Sequence, residues 1–362
     1  MRDNTEILWK VKKNSFIVSR ASTAIYLILK TNGFAGKKVM VPANICYAAI
    51  YPIIYAGAEP VFVDVCARTG NVTVDTVKAV IDDVDAVLVA HMYGNPIQDM
   101  AEIANICKDN HKLLIEDCAS AMGATINGRE CGSFGDYSIF STGYSKTVDF
   151  GGGGIVFSDV DLASIKGEYE LLPSVSPDAE INNSFFTKMY RLIRNNEDQT
   201  LDRFIWKGLE KNLKYLYIFK DPAFDEKIAN IASALEESIE NRLANYKYYS
   251  QAIDNKDIIY RFYEGSVPWR FNIMVPASIR RTVVEKLLEQ NIPVSDWYPV
   301  VTPIFSVDKE RFTGALEMEK SIETWNIQEA NSHMAFHTSW KQEFQPSHRT
   351  RKLQLSTYLK YF

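Results

Sequence analysis

The chain lacks paired cysteines. Its five, Cys46, Cys66, Cys107, Cys118 and Cys131, are scattered without a C-x-x-C spacing, which argues against a zinc site and for a reducing compartment. It lacks a long hydrophobic run. The longest, Ile45 to Ala58, contains Pro52 and is too short to span a bilayer. It lacks an apolar leader, because MRDNTEILWKVKKN is charged and reads as no secretory signal. It also lacks an excess of charge: Lys and Arg total 40 against 45 Asp and Glu, and the net −5 gives no electrostatic case for nucleic acid or an anionic membrane. These absences predict a soluble, cytoplasmic protein with neither nucleic acid nor membrane as partner.

Two phosphate motifs are missing as well. Lys146-Thr147 could end a P-loop, but that loop needs glycine just before the lysine and again five residues earlier, where this chain has Ser145 and Phe140. Gly151 to Gly154 is a plain run without the G-x-G-x-x-G spacing of a dinucleotide site.

What is present is alternation. Strand-like runs at Lys38–Val41, Val61–Val65 and Ala86–His91 alternate with helical ones at Arg20–Lys30, Asn44–Tyr55, Val74–Ile81 and Met100–Asn110. Continuous apolar strands between helices predict an α/β fold, a three-layer, mostly parallel sheet covered on both faces. At 362 residues the simplest division is two domains. The large one covers 1–245 with a helical insertion at about 161–221, and the small α+β C-terminal domain covers 246–362. A long amphipathic helix, with apolar positions at Ile228, Ile231, Leu235, Ile239, Leu243 and Tyr246, bridges the two. In the small domain, Ile258–Tyr263, Arg270–Val275 and Ile292–Val294 read as strands. Ile279–Gln290, Leu316–Ala330 and His348–Leu359 read as helices.

The densest chemistry lies between Leu113 and Gly154. The apolar run Leu113-Leu114-Ile115 ends on Glu116-Asp117, and Asn127-Gly128 marks a tight hairpin turn. A second strand, Tyr137 to Phe140, leads to Ser145-Lys146. An acid at one strand end and a lysine past the next fall where an α/β sheet gathers its ligands. Such a pair suits pyridoxal phosphate, which needs an amine for a Schiff base and an acid for its ring nitrogen. Taken singly, both residues also fit an ordinary strand end and a solvated surface lysine.

The succession Ile115-Glu116-Asp117-Cys118-Ala119-Ser120, Gly123-Ala124-Thr125, Gly132-Ser133-Phe134-Gly135-Asp136, Phe140-Ser141, Ser145-Lys146 and Gly153-Gly154 resembles the core of the DegT/DnrJ/StrS family. These are pyridoxal-phosphate sugar aminotransferases of the aspartate aminotransferase fold type. The resemblance implies that Lys146 is the Schiff-base lysine, Asp117 the ring-nitrogen partner and Ser141 a phosphate-holding serine. Ala21, Ser22 and Thr23, at the start of a helix, resemble the family's phosphate cup. His91, before Tyr93-Gly94, resembles its His-x-Tyr-Gly and reads as structural. Ser295-Asp296-Trp297-Tyr298-Pro299 resembles its substrate loop, with Trp297 and Tyr298 as substrate-binding residues and His333 and His337 as weaker candidates.

Three positions depart from the family. Ser120, a cofactor-binding candidate, stands where Gln or His is usual, and Cys46 stands where an aromatic stacks on the ring. Phe224-Asp225-Glu226-Lys227 replaces an Asn-Tyr-Arg stretch that reaches the partner subunit's phosphate site. The implied activity is transamination of a nucleotide-linked keto sugar with glutamate as donor, by a homodimer without a metal, for surface polysaccharide or glycoconjugate synthesis. Two alternatives stay open: pyridoxal-phosphate chemistry on a non-sugar ketone or aldehyde, and a non-catalytic regulatory protein that keeps the fold.

Overall fold

The structure is a computed structural model that describes residues 9–175, 214, 217–253, 255–289, 294–295 and 298–325. In chain order its elements begin with β1 (Asn14–Val18), α1 (Ala21–Thr31), β2 (Lys38–Pro42), α2 (Tyr47–Tyr55), β3 (Glu59–Val63) and α3 (Val74–Lys78). They continue with β4 (Ala86–Ala90), α4 (Met100–Asp109), β5 (Leu113–Asp117), the hairpin β6 (Thr125–Ile126) and β7 (Arg129–Glu130), β8 (Tyr137–Ser141), β9 (Gly154–Ser158) and α5 (Ala163–Glu170). The remainder comprises α6 (Asp225–Ala229), α7 (Ile231–Ala252), β10 (Phe271–Met274), α8 (Ala277–Glu289), α9 (Thr313–Ser321) and β11 (Ile322–Trp325).

Seven strands form the central sheet in the order β1-β9-β8-β5-β4-β2-β3. Pairings β2–β3, β2–β4, β4–β5 and β5–β8 are parallel, whereas β9 runs against both β8 and β1. Strand periodicity explains the layers, since successive side chains leave opposite faces. Val39, Val41, Leu88, Ile115, Ile139 and Val156 join one core with α1, α2 and α5. Met40, Val87, Val89, Leu114, Phe140 and Ile155 join the other with α3, α4 and the start of α7. Helix α1 is nearly engulfed, with Ser22 through Leu29 all buried. This is the expected three-layer, mostly parallel α/β sheet.

A smaller core joins Ile253, Ile258, Phe271, Ile273, Val283 and Leu287 around the antiparallel pair β10–β11. Three expectations are corrected here. Ile258–Tyr263 is no strand: only Ile259 bridges to Ile273, and the Tyr260 hydroxyl turns away to donate to the Thr69 carbonyl at 2.7 Å. The helix expected to Ala330 stops at Ser321, where Ile322–Trp325 pairs with β10. Leu243 is 44% exposed, and the buried stripe of α7 passes instead through Arg242. Residue 245, the expected domain boundary, falls within α7. Most of the strand expected at Ile292–Val294, the helix at His348–Leu359, Trp297, His333, His337 and most of the 161–221 insertion lie outside the described residues. Among the described residues no helix is long and apolar enough to cross a membrane.

Candidate active site

Parallel strands β5 and β8 end side by side, with Asp117 paired in register to Ile139 and Ser141 two residues beyond it. Beyond β8 the chain makes a polar turn before reversing as β9, and Lys146 sits on that turn. Glycine is needed where β9 passes the start of α1: a Cβ on Gly154 would stand 2.6 Å from the Ala21 nitrogen. The first turn of α1 is thereby brought to the strand ends, and its N–H groups have no partner one turn back. Arg20 precedes this turn without capping it through its side chain. A helix N-terminus so placed favours an anion.

Between these elements lies a cavity of about 410 Å³ whose wall includes Ala21, Ser22, Asp117, Ser120, Ser141, Lys146 and Tyr298. Thr23 is not in that wall. It is fully buried, and its hydroxyl donates to the Tyr217 carbonyl at 2.9 Å, so it ties α1 to a neighbouring segment. Ser22 donates to the same carbonyl at 2.9 Å while also lining the cavity. The Ser141 hydroxyl accepts the Gly143 N–H at 3.2 Å. A larger cavity, about 770 Å³, opens at the opposite edge beside Asn32, Lys37 and Asp85, and holds none of the expected residues.

Lys146 Nζ donates to Ser120 Oγ at 3.2 Å. Burial pulls its pKa down, but Tyr298, Cys46 and Asp117 outweigh that and hold it above the ordinary lysine value. Burial pushes the Asp117 carboxyl above the ordinary aspartate value. The Ala119 N–H, 2.9 Å from Oδ1, opposes this with Lys146 and His91 and does not prevail. A desolvated carboxyl of this kind gains strongly from any cation brought against it. Cys46 lines the cavity, its thiol pushed up by burial.

His91 reaches the cavity wall with both ring nitrogens engaged. Nδ1 accepts the Ile97 N–H at 3.1 Å, which leaves the ring proton on Nε2, 3.3 Å from Glu116 Oε2. His91, Glu116 and Cys118 bring ligand-type atoms within 4.8 Å, but the Gly132, Phe134 and Gly135 N–H groups already fill Glu116. The structural reading of His91 fits this geometry.

Tyr298, expected at the substrate, lines the cavity. Its ring is stacked on Trp269, centroids 5.4 Å apart at 25°, and tilted against Tyr93 at 6.0 Å, so its faces are covered. Its hydroxyl instead borders Lys146. Phe224 lines the cavity and packs on Gly152, whereas Asp225, the acid expected to repel phosphate, is not in the wall. Sequence reasoning missed Arg242, which is 0% exposed yet charged. Burial first, then Arg270, lower its pKa to about 9, still above neutral. Its signal was a cation seven residues after Leu235, on the apolar stripe of the helix.

A GDP-perosamine synthase from Vibrio cholerae is 36% identical over 152 residues, which is 41% of this chain and 41% of that enzyme's length. The chain thus matches about two fifths of that relative. The solved aminotransferase TlmJ from Streptoalloteichus hindustanus superposes with a TM-score of 0.68 at 20% identity, covering 96% of this chain and 86% of that one. The Escherichia coli GDP-4-keto-6-deoxy-D-mannose-3-dehydratase, solved with bound hydrated PLP, superposes at 0.63 with 21% identity over 88% of this chain and 84% of its own. At such identities the superpositions establish the fold alone. Residues 9–174, which carry both Asp117 and Lys146, match the DegT/DnrJ/EryC1/StrS aminotransferase family.

Proposed function

We propose that the protein is a pyridoxal-phosphate-dependent aminotransferase that converts a nucleotide-linked keto sugar to an amino sugar, with glutamate as donor. One observation carries this reading: Lys146 and Asp117 line the same cavity at the carboxyl edge of the sheet. The residues present suit the cofactor. Asp117 is a buried carboxyl suited to a protonated ring nitrogen, the α1 start with Ser22 and Ser141 suits the phosphate, and among the described residues Lys146 is the one lysine in the wall. When bound, pyridoxal phosphate supplies an aldehyde for amine exchange and a ring that accepts electrons.

The chain's own residues supply the rest. With the cofactor bound, Lys146 Nζ would hold it covalently and, once displaced by an incoming amine, would move the proton between the substrate carbon that bears nitrogen and the cofactor, away from the donor carbon and later onto the acceptor carbon. Ser120 Oγ, against that nitrogen, orients it. Asp117 keeps a proton on the ring nitrogen, and the Tyr298 hydroxyl stabilises the ammonium form of Lys146. Trp297, beside Tyr298 in sequence, remains the candidate for the sugar nucleotide.

The name of the Vibrio cholerae relative supports a sugar-nucleotide acceptor over a non-sugar ketone. A homodimer with sites at the interface is part of the same reading. Tyr144, in the cavity wall yet 81% exposed, is a large ring that a second subunit would cover. The division at residue 245, a role in surface polysaccharide synthesis and a cytoplasmic location belong to it too.

The test is chemical. Borohydride treatment with the cofactor, followed by peptide mapping, places the adduct on Lys146. An adduct elsewhere, or none, refutes the reading. Asp117→Asn keeps that adduct and lowers kcat about 10²-fold or more, and unimpaired turnover removes Asp117 from its role. A panel of nucleotide keto sugars offered to the aminated cofactor form then identifies the acceptor.

A further inference from the structure

Three successive carbonyls of the lysine turn each receive a donor from the C-terminal half of the chain. Trp269 Nε1 donates to the Ser145 carbonyl at 2.5 Å, Arg242 Nη2 to the Lys146 carbonyl at 3.0 Å, and Ser238 Oγ to the Thr147 carbonyl at 2.5 Å. The donors are themselves linked. Arg242 Nε bonds Ser238 Oγ at 3.2 Å, and its Nη1 reaches the Pro268 carbonyl at 3.1 Å and the Trp269 carbonyl. Arg270 lies over the Trp269 ring, 4.1 Å from its centroid, and donates to Ser145 Oγ at 3.0 Å.

The turn needs such support. Ser145 has φ +63°, in the left-handed region that a residue with a side chain enters at a cost. Its own N–H is held by Asp149 Oδ2 at 2.5 Å. A strained turn keeps one geometry only when its surroundings over-determine it. Buried carbonyls need donors in any protein, but a neutral side chain would satisfy them. Here a wholly buried guanidinium spans the lysine's own carbonyl and the 268–269 backbone, which also presents the Trp269 ring on which Tyr298 stacks. The backbone and the side-chain tip of Lys146 are thus referred to one frame. Its carbonyl is tied to Arg242, and its amine stands between Ser120 and Tyr298.

We propose that Arg242, with Trp269 and Ser238, forms a positioning clamp that sets where the Lys146 amine stands in the cavity. The clamp deepens the aminotransferase reading, and its consequence for turnover rests on that reading. Displacing a reacting group by about 1 Å costs up to roughly 10²-fold in rate. Loosening the clamp therefore lowers kcat more than it raises KM.

The test uses the full chain and the variants Trp269→Phe, Arg242→Lys and Ser238→Ala, each of which removes or shortens one donor. Ligand-free protein is labelled with formaldehyde and cyanoborohydride. The modification of Lys146 is read against Lys78, whose side chain is 52% exposed, in the same digest. Variants that keep the wild-type melting curve are expected to raise the Lys146 to Lys78 ratio roughly fivefold, as the amine leaves Ser120 and Tyr298, and to lower kcat by roughly tenfold with KM within about twofold. A merely structural contact would move the melting curve and leave the ratio alone. Should Arg242→Lys fail to fold, Trp269→Phe and Ser238→Ala still decide. A folded Trp269→Phe with the wild-type ratio and kcat overturns the clamp. If wild-type protein never anchors pyridoxal phosphate on Lys146, the aminotransferase reading fails, while the ligand-free ratio still tests the clamp.

Discussion

Glu116 and Asp117 are consecutive on β5, and their carboxyls face opposite layers of the protein. Asp117 points to the α1 side and lines the cavity, where burial raises its pKa. Glu116 points to the other side and is fully buried. There the His91 hydrogen bond and the Gly135 and Gly132 N–H groups overcome desolvation and lower its pKa below the ordinary value. One acid is left in want of a cation, and its neighbour is satisfied by the fold.

Glu116→Gln is expected to destabilise the protein by about 3 kcal/mol near neutral pH, because the amide turns a donor towards N–H groups that are already donors. The sign with pH follows from the lowered pKa. Stabilisation by the carboxylate is complete above the ordinary glutamate value of 4.5 and is lost as pH falls through the lower folded-state value. Urea unfolding of both proteins near neutrality and in acid should show the gap narrowing in acid. A pH-independent gap contradicts the assignment.

Tyr298→Phe keeps the ring that stacks on Trp269 and removes the hydroxyl beside Lys146. Lys146 should then lose part of its raised pKa, and kcat should fall roughly tenfold in both half-reactions. Binding of a sugar nucleotide, measured by calorimetry, should hardly change. Weakened nucleotide binding with an intact donor half-reaction would return Tyr298 to a substrate contact.

Gly154→Ala places a methyl against the Ala21 nitrogen and the Arg20 carbonyl carbon, at 2.6 and 2.7 Å. Backbone cannot give way as a side-chain tip can, so α1 must shift, at a cost of about 1–3 kcal/mol. Affinity for inorganic phosphate or for the cofactor should drop with it. Wild-type melting and affinity together would show that the approach of β9 to α1 is looser than the distances imply.

Much of this site was legible because its residues sit at strand ends, where an apolar run breaks on an acid or a hydroxyl. Asp117 and Lys146 follow from that rule, whereas Ser141 was singled out only by the family resemblance. Lys38–Val41 and Ala86–His91 were legible as strands because parallel strands buried on both faces are continuously apolar. The direction of β9 was not legible, since Gly154–Ser158 has the same apolar character whichever way it runs. β1 was missed for a related reason, as its pairing depends on that distant strand. Thr23 differs from Ser22 only in rotation about the α1 axis, which a small-residue motif does not encode. Arg242 was hidden by its type. A cation on a helix reads as solvated, and only the carbonyls gathered around it, from residues far along the chain, account for its burial.

The antiparallel return of β9 also orders events during synthesis. Val18 pairs with Gly154 and Asn14 with Ser158, so β1 emerges early and meets its neighbour in the sheet only after some 140 further residues have been made. Until then α1 has no β9 to hold its first turn against Ser141. A nascent chain halted before Gly154 would hold Asp117 and Lys146 without the seat beside them, and the edge of β8 would stand open to other chains. The cavity is therefore a late product of biosynthesis: its seat waits for the strand that follows its lysine, and its wall for Phe224 and Tyr298.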